Sequence, residues 1–369
     1  MIMYSYQLQF AFISFLLFSF VISAQEESII NNVPADSLDY SLINIIDAHT
    51  QSFADSTQLA IALLKGNQLH YIGVEKIDGV LTPIDNQDRV FEIGSISKVF
   101  TSTMLGQMVG EEVLSLDARA GQILGLSDLD DYGVTLQHLA NHTSGLIGLP
   151  TNIDLISDPA NPYKAYHSDL LIAYLTEDID LLTLPGESYA YSNLGAGLLG
   201  HILTVKAGQS YEELLQENIC MPNGLNSTTS RRAAVGADRL VQGRQPNGDI
   251  ASNWDFDVLV GAGGILSTVE DLIKFTRSQI QLDHTPITHN TTFELNENTE
   301  VGLGRHIIKP QSGGRWLWHN GGTGGYTTSM TIDKEYKTSV VILSNVSAFH
   351  SSMGSIDQLN FTLLKELNK

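Results

Sequence analysis

Between Leu38 and Phe53 the apolar residues Leu42, Ile43, Ile45 and Ile46 fall at helical spacing and predict an opening helix. Two apolar-rich stretches, Gln58 to Leu64 and His70 to Lys76, then flank Gly66-Asn67, which is a hairpin signal. Ile96 to Val109 returns to a helical pattern that stops at Gly110. From about Gly110 to Ser252 the chain reads as helical patches joined by Gly, Pro and Asn turns. Strand-like sequence comes back at Trp316 to His319, Tyr326 to Ile332 and Thr338 to Ser344, the last two joined by Asp333-Lys334-Glu335-Tyr336. Met353 to Leu367 closes the chain as an amphipathic helix, and the polar segment Gln281 to Thr299 reads as a loop. The order is helix, strands, helical insertion, strands, helix. It predicts an α+β fold, in which strands from both ends form one antiparallel sheet flanked by the terminal helices, beside a mostly helical domain. The expected sheet domain is discontinuous, residues 25–109 and 253–369, and the helical domain is 110–252.

The first 24 residues carry no charged side chain, and Phe10 to Ile22 is apolar apart from Ser14 and Ser19. With Ala24 followed at once by Glu26 and Glu27, this resembles a secretory signal peptide cleaved near Ala24. An uncleaved membrane anchor is the alternative, the run being near the lower limit for a spanning helix. Cleavage would leave a periplasmic or secreted protein without strong membrane association, expected to be a monomer.

Composition narrows the classes of function. An apolar fraction of 43% with 17% charged residues over 369 positions excludes a disordered chain and a coiled coil. The formal net charge of −21 argues against binding nucleic acid or anionic lipid, both of which need cationic surface. Cys220 is the only cysteine, so no internal disulfide and no cysteine-cluster zinc site can form.

Three segments could carry chemistry. Phe91-Glu92-Ile93-Gly94-Ser95-Ile96-Ser97-Lys98 contains Ser-x-x-Lys. If a helix starts at Ser95, Lys98 lies one turn away on the same face and could activate the Ser95 hydroxyl. The helix N-terminus could then donate to a developing oxyanion. The plain alternative is Ser95 as an N-cap and Lys98 in solvent. In Tyr191-Ser192-Asn193 alternate side chains point the same way. Tyr191, held as a phenolate by a nearby ammonium, could serve as general base, while Asn193 could orient Lys98 and donate to a substrate carbonyl. Alone, a buried tyrosine before a helix explains this segment as well. Trp318-His319-Asn320-Gly321-Gly322-Thr323-Gly324-Gly325 is glycine-rich for a strand, as expected where a substrate lies along the backbone. Gly322 N–H could be an oxyanion donor, and His319 could supply a hydrogen bond or, when protonated, a charge. The alternative is a hairpin loop with a surface histidine.

Together and in this order the three segments resemble the active-site motifs of the penicillin-recognising serine hydrolases, in the branch of class C β-lactamases, DD-peptidases and esterases. Phe91 to Lys98, Tyr191-Ser192-Asn193 and His319-Asn320-Gly321 carry the resemblance. His142-Thr143-Ser144-Gly145-Leu146, Leu114-Ser115-Leu116-Asp117 and Gly263-Gly264-Ile265-Leu266-Ser267-Thr268 extend it. The resemblance implies Ser95 as acylated nucleophile, with Lys98 and Tyr191 sharing the proton transfers. It implies Asn193, His319, Gly321, Gly322 and Thr323 as substrate-binding residues, with the N–H groups of Ser95 and Gly322 as oxyanion hole. The fold implied is an antiparallel sheet beside a helical domain with the site in the crevice, and no cofactor or metal is implied. The activity implied is β-lactam hydrolysis. D-alanyl-D-alanine carboxypeptidase, endopeptidase or ester hydrolysis is the alternative, and a non-turnover penicillin sensor a third reading. Class C enzymes usually carry lysine where His319 stands, so the resemblance also implies weak or incidental β-lactam turnover. Cys220 is expected to be structural, and the remaining histidines, such as His284 and His289, to lie at the surface.

Overall fold

The signal at Gly66-Asn67 does turn a hairpin, between Gln58–Lys65 (β1) and Gln68–Ile77 (β2), whose register places Ile61 opposite Ile72. The structure is a computed structural model describing residues 40–282 and 286–369. The signal-like segment 1–24 and His284 lie outside the described residues. Further along are β3 (Val80–Pro83), β4 (Val90–Glu92), β5 (Leu266–Thr268), β6 (Phe293–Asn296), β7 (Thr299–Val301) and β8 (His306–Ile308). The last strands are β9 (Trp316–Gly322), β10 (Thr327–Asp333) and β11 (Thr338–Ser344). The longest helices among the described residues are α1 (Tyr40–Thr50), α2 (Ser97–Gly110), α3 (Asn193–Ala207), α4 (Val269–Gln281) and α5 (Ser355–Leu367).

Nine strands form one antiparallel sheet in the order β3-β2-β1-β11-β10-β9-β8-β7-β6. The join between the two ends of the chain is β1 against β11, with Ile61 opposite Ile342. Side chains alternate across these central strands, and both faces are buried. Leu59, Ile61 and Leu63 of β1, with Val340 and Ile342 of β11, meet Ile46 of α1 and Ile356, Leu359 and Leu363 of α5. Ala60, Ala62 and Leu64, with Val341 and Leu343, face the larger core that includes Phe275 of α4, Phe100 of α2 and Leu139, Leu171 and Leu198 of the helical segment. Each fully buried Leu or Ile is worth about 1.5–3 kcal/mol, so a one-residue slip of β1 would exchange two packed faces at once.

Among the described residues, every strand lies at or before Glu92 or at or after Leu266, and the chain between is helical or looped. No helix among the described residues is long and apolar enough to cross a membrane. The segment expected to be a loop, Gln281 to Thr299, instead supplies β6 and the start of β7 at the sheet edge. Edge strands pair on one side only and need no continuous apolar run, so the period-two signal is weak there. His289 is 2% exposed, not at the surface, and shares a hydrogen bond of 3.1 Å with Gln279. The glycines of β9 and the following turn serve close packing of the protein on itself. A Cβ on Gly321 would lie 1.9 Å from Ile93 O, and one on Gly324 2.8 Å from Trp254 Nε1.

Candidate active site

The nucleophile candidate is set by a small second sheet. β4 pairs with β5, and Ile93 N–H donates to Ile265 O at 3.0 Å, bringing residues 90–94 beside 265–268. The chain then turns at Gly94, whose φ of +51° lies in the left-handed region. A Cβ there would lie 2.5 Å from Gly322 N, so glycine is required both for its φ and for the approach of β9. Ser95 falls in a single 3-10 turn, Gly94–Ile96, ahead of α2. The helix proper begins at Ser97, one residue after its pattern starts at Ile96, and Ser95 is not its N-cap.

Lys98, on the first turn of α2, is 1% exposed. Its Nζ lies 2.9 Å from Ser95 Oγ, 2.8 Å from Asn193 Oδ1 and 2.7 Å from Ala262 O. Burial holds the lysine well below its ordinary pKa. The partners fit a neutral amine: Asn193 Oδ1 and Ala262 O can only accept, which uses two N–H bonds, and the lone pair then faces the Ser95 hydroxyl. The Ala262 carbonyl was not foreseen from sequence. It is reached because helix α3 packs on the Val260–Gly263 turn through glycines, where a Cβ on Gly200 would be 3.1 Å from Gly261 Cα.

Tyr191, Ser192 and Asn193 are braced from behind by the His142–Gly148 segment. Ser192 caps α3, accepting from Gly195 N–H at 2.8 Å, and donates to Ile147 O at 2.6 Å. Ser192 N–H donates to His142 Nδ1 at 3.2 Å, and Asn193 N–H to Gly148 O at 2.9 Å. The Tyr191 phenol interacts with the Ser95 side chain, and Lys98 Nζ sits 4.8 Å from the ring centroid. The ring is 39% exposed but its hydroxyl end is buried, and that burial pushes the phenol well above its ordinary value. The expected phenolate is therefore corrected. Burial disfavours the Lys98 ammonium as well, which weakens the charge that would stabilise the anion. Tyr163, which the sequence did not single out, lines the same cavity as Asn193.

His319 is 2% exposed and not at the surface. Its Nδ1 lies 2.5 Å from Asn320 O, and its ring is 5.8 Å from His306 and 6.4 Å from Tyr191. Burial holds it far below the ordinary histidine value, which disfavours the charge expected at this position. Gly322 reaches the cavity beside Ser95, whereas Gly321 packs on Ile93 and Thr323 is 1% exposed with its hydroxyl toward Glu92. The structure thus gathers Ser95, Lys98, Tyr191, Asn193 and Gly322 at one point and sets His319 just behind them. Gly321 within β9 and Thr323 just after it are packing residues.

Ser95, Asn193 and Gly322 open onto a cavity of about 450 Å³, within the usual range for small-molecule sites. Cys220 is buried and its thiol is pushed up to about 12 by burial, as a structural cysteine would be.

Residues 46–362 match the family described as Beta-lactamase. Penicillin-binding protein 4* of Bacillus subtilis is 28% identical over 286 residues, covering 69% of this chain and 60% of that protein. The chain thus spans about half to six tenths of the length of the first curated relatives it matches. The D-alanyl-D-alanine-carboxypeptidase/endopeptidase AmpH of Escherichia coli is 24% identical over 359 residues, covering 86% of this chain and 87% of the relative. A solved class C beta-lactamase superposes with a TM-score of 0.73 at 20% identity over 89% of this chain and 96% of its own, a likeness of fold. With the family matched across most of its length, the chain belongs to the Beta-lactamase family of penicillin-recognising serine hydrolases.

Proposed function

We propose that this chain hydrolyses its substrate through an acyl-enzyme on Ser95. The observation that carries the reading is Lys98 Nζ at 2.9 Å from Ser95 Oγ, with its other two partners both pure acceptors. Neutral Lys98 takes the Ser95 hydroxyl proton as Oγ bonds to the acyl carbon, and the carbonyl π pair moves onto oxygen. The N–H groups of Ser95 and Gly322 hold that oxyanion, each such donor contributing about 3–4 kcal/mol at the transition state. Collapse breaks the bond to the leaving group, which takes the proton from the Lys98 ammonium through the Tyr191 hydroxyl. Water then attacks the acyl carbon as its proton passes through Tyr191 to Lys98; collapse breaks the bond to Ser95 Oγ, which regains that proton from the Lys98 ammonium, and the acid leaves. Asn193 keeps the Lys98 lone pair aimed at Ser95. The sheet segments and the helical segment 110–252 act as the two walls of the site.

The finer reading is hydrolysis of a β-lactam amide, supported by relatives named Beta-lactamase in Pseudomonas fluorescens and Escherichia coli. D-alanyl peptide or ester hydrolysis uses the same groups, and a neutral His319 favours the ester, because no fixed cation meets the carboxylate that a β-lactam and a D-alanyl peptide both carry. We propose that the protein is exported by its uncharged apolar start and works as a monomer. The test is incubation with a fluorescent penicillin read by intact mass, followed by turnover of nitrocefin, a D-Ala-D-Ala peptide and a p-nitrophenyl ester. Ser95→Ala abolishes turnover, and Lys98→Ala or Tyr191→Phe lowers it by about a thousandfold or more, since such units fail together. Wild-type rates in any of the three overturn the mechanism. A stable adduct with no turnover favours the sensor.

A further inference from the structure

The cavity beside Ser95 has a wall of one chemical kind. Leu149, Pro162, Tyr163, Trp254, Phe256 and Phe349 are among its lining, and no Asp, Glu, Lys, Arg or His lines it. Tyr163 and Phe256 stack with centroids 4.4 Å apart, Trp254 lies 5.4 Å from Tyr163, and Phe349 lies 6.3 Å from Trp254. The rim is apolar too. Phe349 is 68% exposed and Leu155, also on the lining, 42% exposed. Large side chains left open at a cavity mouth mark a surface that an apolar ligand covers.

The positive groups behind Ser95 are engaged or held toward neutrality by burial, and of those near the cavity mouth Arg232 is paired with Asp255 while Lys164, next to Tyr163, is exposed to solvent. Lys98 is held by three oxygens and neutralised by burial. His142, His306 and His319 are all held below the ordinary histidine value, burial being the first cause in each. The charge of the whole chain, −21, repels anions at long range. A carboxylate entering this space would lose its water and find no counter-charge, whereas a phenyl or branched alkyl group would find aromatic walls.

Resting on the acyl-enzyme reading above, we propose that the substrate is an uncharged ester or amide whose acyl group is bulky and apolar and bears no carboxylate. Trp254, Phe256 and Phe349 are its specificity-determining residues. The acyl group fills the aromatic cavity while its carbonyl carbon lies against Ser95 Oγ.

The experiment uses the full chain and four p-nitrophenyl esters: acetate, phenylacetate, valerate and the mono-ester of glutarate. The last two have acyl chains of the same length and differ by a carboxylate. Labelling by a fluorophosphonate, read by intact mass, runs in parallel. Expected are a Ser95 adduct, kcat/KM for phenylacetate above acetate by at least about tenfold, and valerate above glutarate by at least about tenfold. Phe349→Ala, at an exposed position that does not threaten folding, lowers the phenylacetate-to-acetate ratio at least about threefold. Failure of Ser95 to label overturns the acyl-enzyme reading and this inference with it. A labelled Ser95 with smaller ratios, or with glutarate preferred, overturns this inference alone. An unchanged ratio in Phe349→Ala also overturns it.

Discussion

Acidification from about pH 7.5 to about pH 5 is expected to remove a large share of the stability of this protein. His142, His289 and His319 are 4%, 2% and 2% exposed. Burial holds all three below the ordinary histidine value, His289 down to about 2, with Arg305 adding like-charge repulsion there. A histidine whose folded pKa is depressed contributes no penalty above its unfolded value. Below that value the unfolded chain takes up a proton that the folded chain refuses, so stability falls with pH until the folded pKa is reached. With an unfolded value of about 6.5 and a folded value of about 2, His289 favours unfolding by ~2 kcal/mol at about pH 5. His142 and His319 act in the same direction, against a total stability of about 5–15 kcal/mol. Glu92 and Asp357 oppose the trend, because burial raises both carboxyls and the folded state then gains from protonation. Urea unfolding at three pH values across this range measures the sum. His289→Gln, which keeps a polar partner for Gln279, isolates one site and is expected to shrink the pH-dependent loss by ~2 kcal/mol. A wild-type midpoint that moves by less than the equivalent of ~1 kcal/mol, or identical losses in wild type and variant, refutes the reasoning.

Three further outcomes are expected. Because Lys98 works as a neutral amine and burial lowers its pKa, kcat/KM rises with pH through that lowered value and is level well before the range of a free lysine, about 10.4; a rate still climbing through that range contradicts it. Gly321→Ala places a Cβ 1.9 Å from Ile93 O, displaces the turn that carries Ser95, and lowers stability by about 2–4 kcal/mol together with turnover. Thermal unfolding of a variant as stable as wild type would show that β9 has room to move. Cys220, 1% exposed with its thiol pushed up to about 12, stays unreactive toward a thiol reagent in the native protein and reacts once on denaturation; prompt native labelling counts against the burial.

Local sequence determined a good deal. The hairpin at Gly66-Asn67, the helix after Ser95, the late strands and the closing helix are each short-range patterns, and one residue's period of two or three and a half neighbours carries them. The i, i+3 spacing of Ser95 and Lys98 needed only a helical turn to become a contact, and it did so even though the turn is 3-10. Only the tertiary structure decided the charge states. The phenol of Tyr191, the amine of Lys98 and the imidazole of His319 are all pushed toward their neutral forms by desolvation, which depends on what other segments cover them and not on their neighbours in the chain. The same holds for the Ala262 carbonyl, for Tyr163 and for the aromatic wall of Trp254, Phe256 and Phe349, which converge on Ser95 from positions more than sixty residues away. Periodicity reports which face of an element is buried; it does not report against what, and at this site the identity of the covering residues sets both the proton chemistry and the substrate that fits.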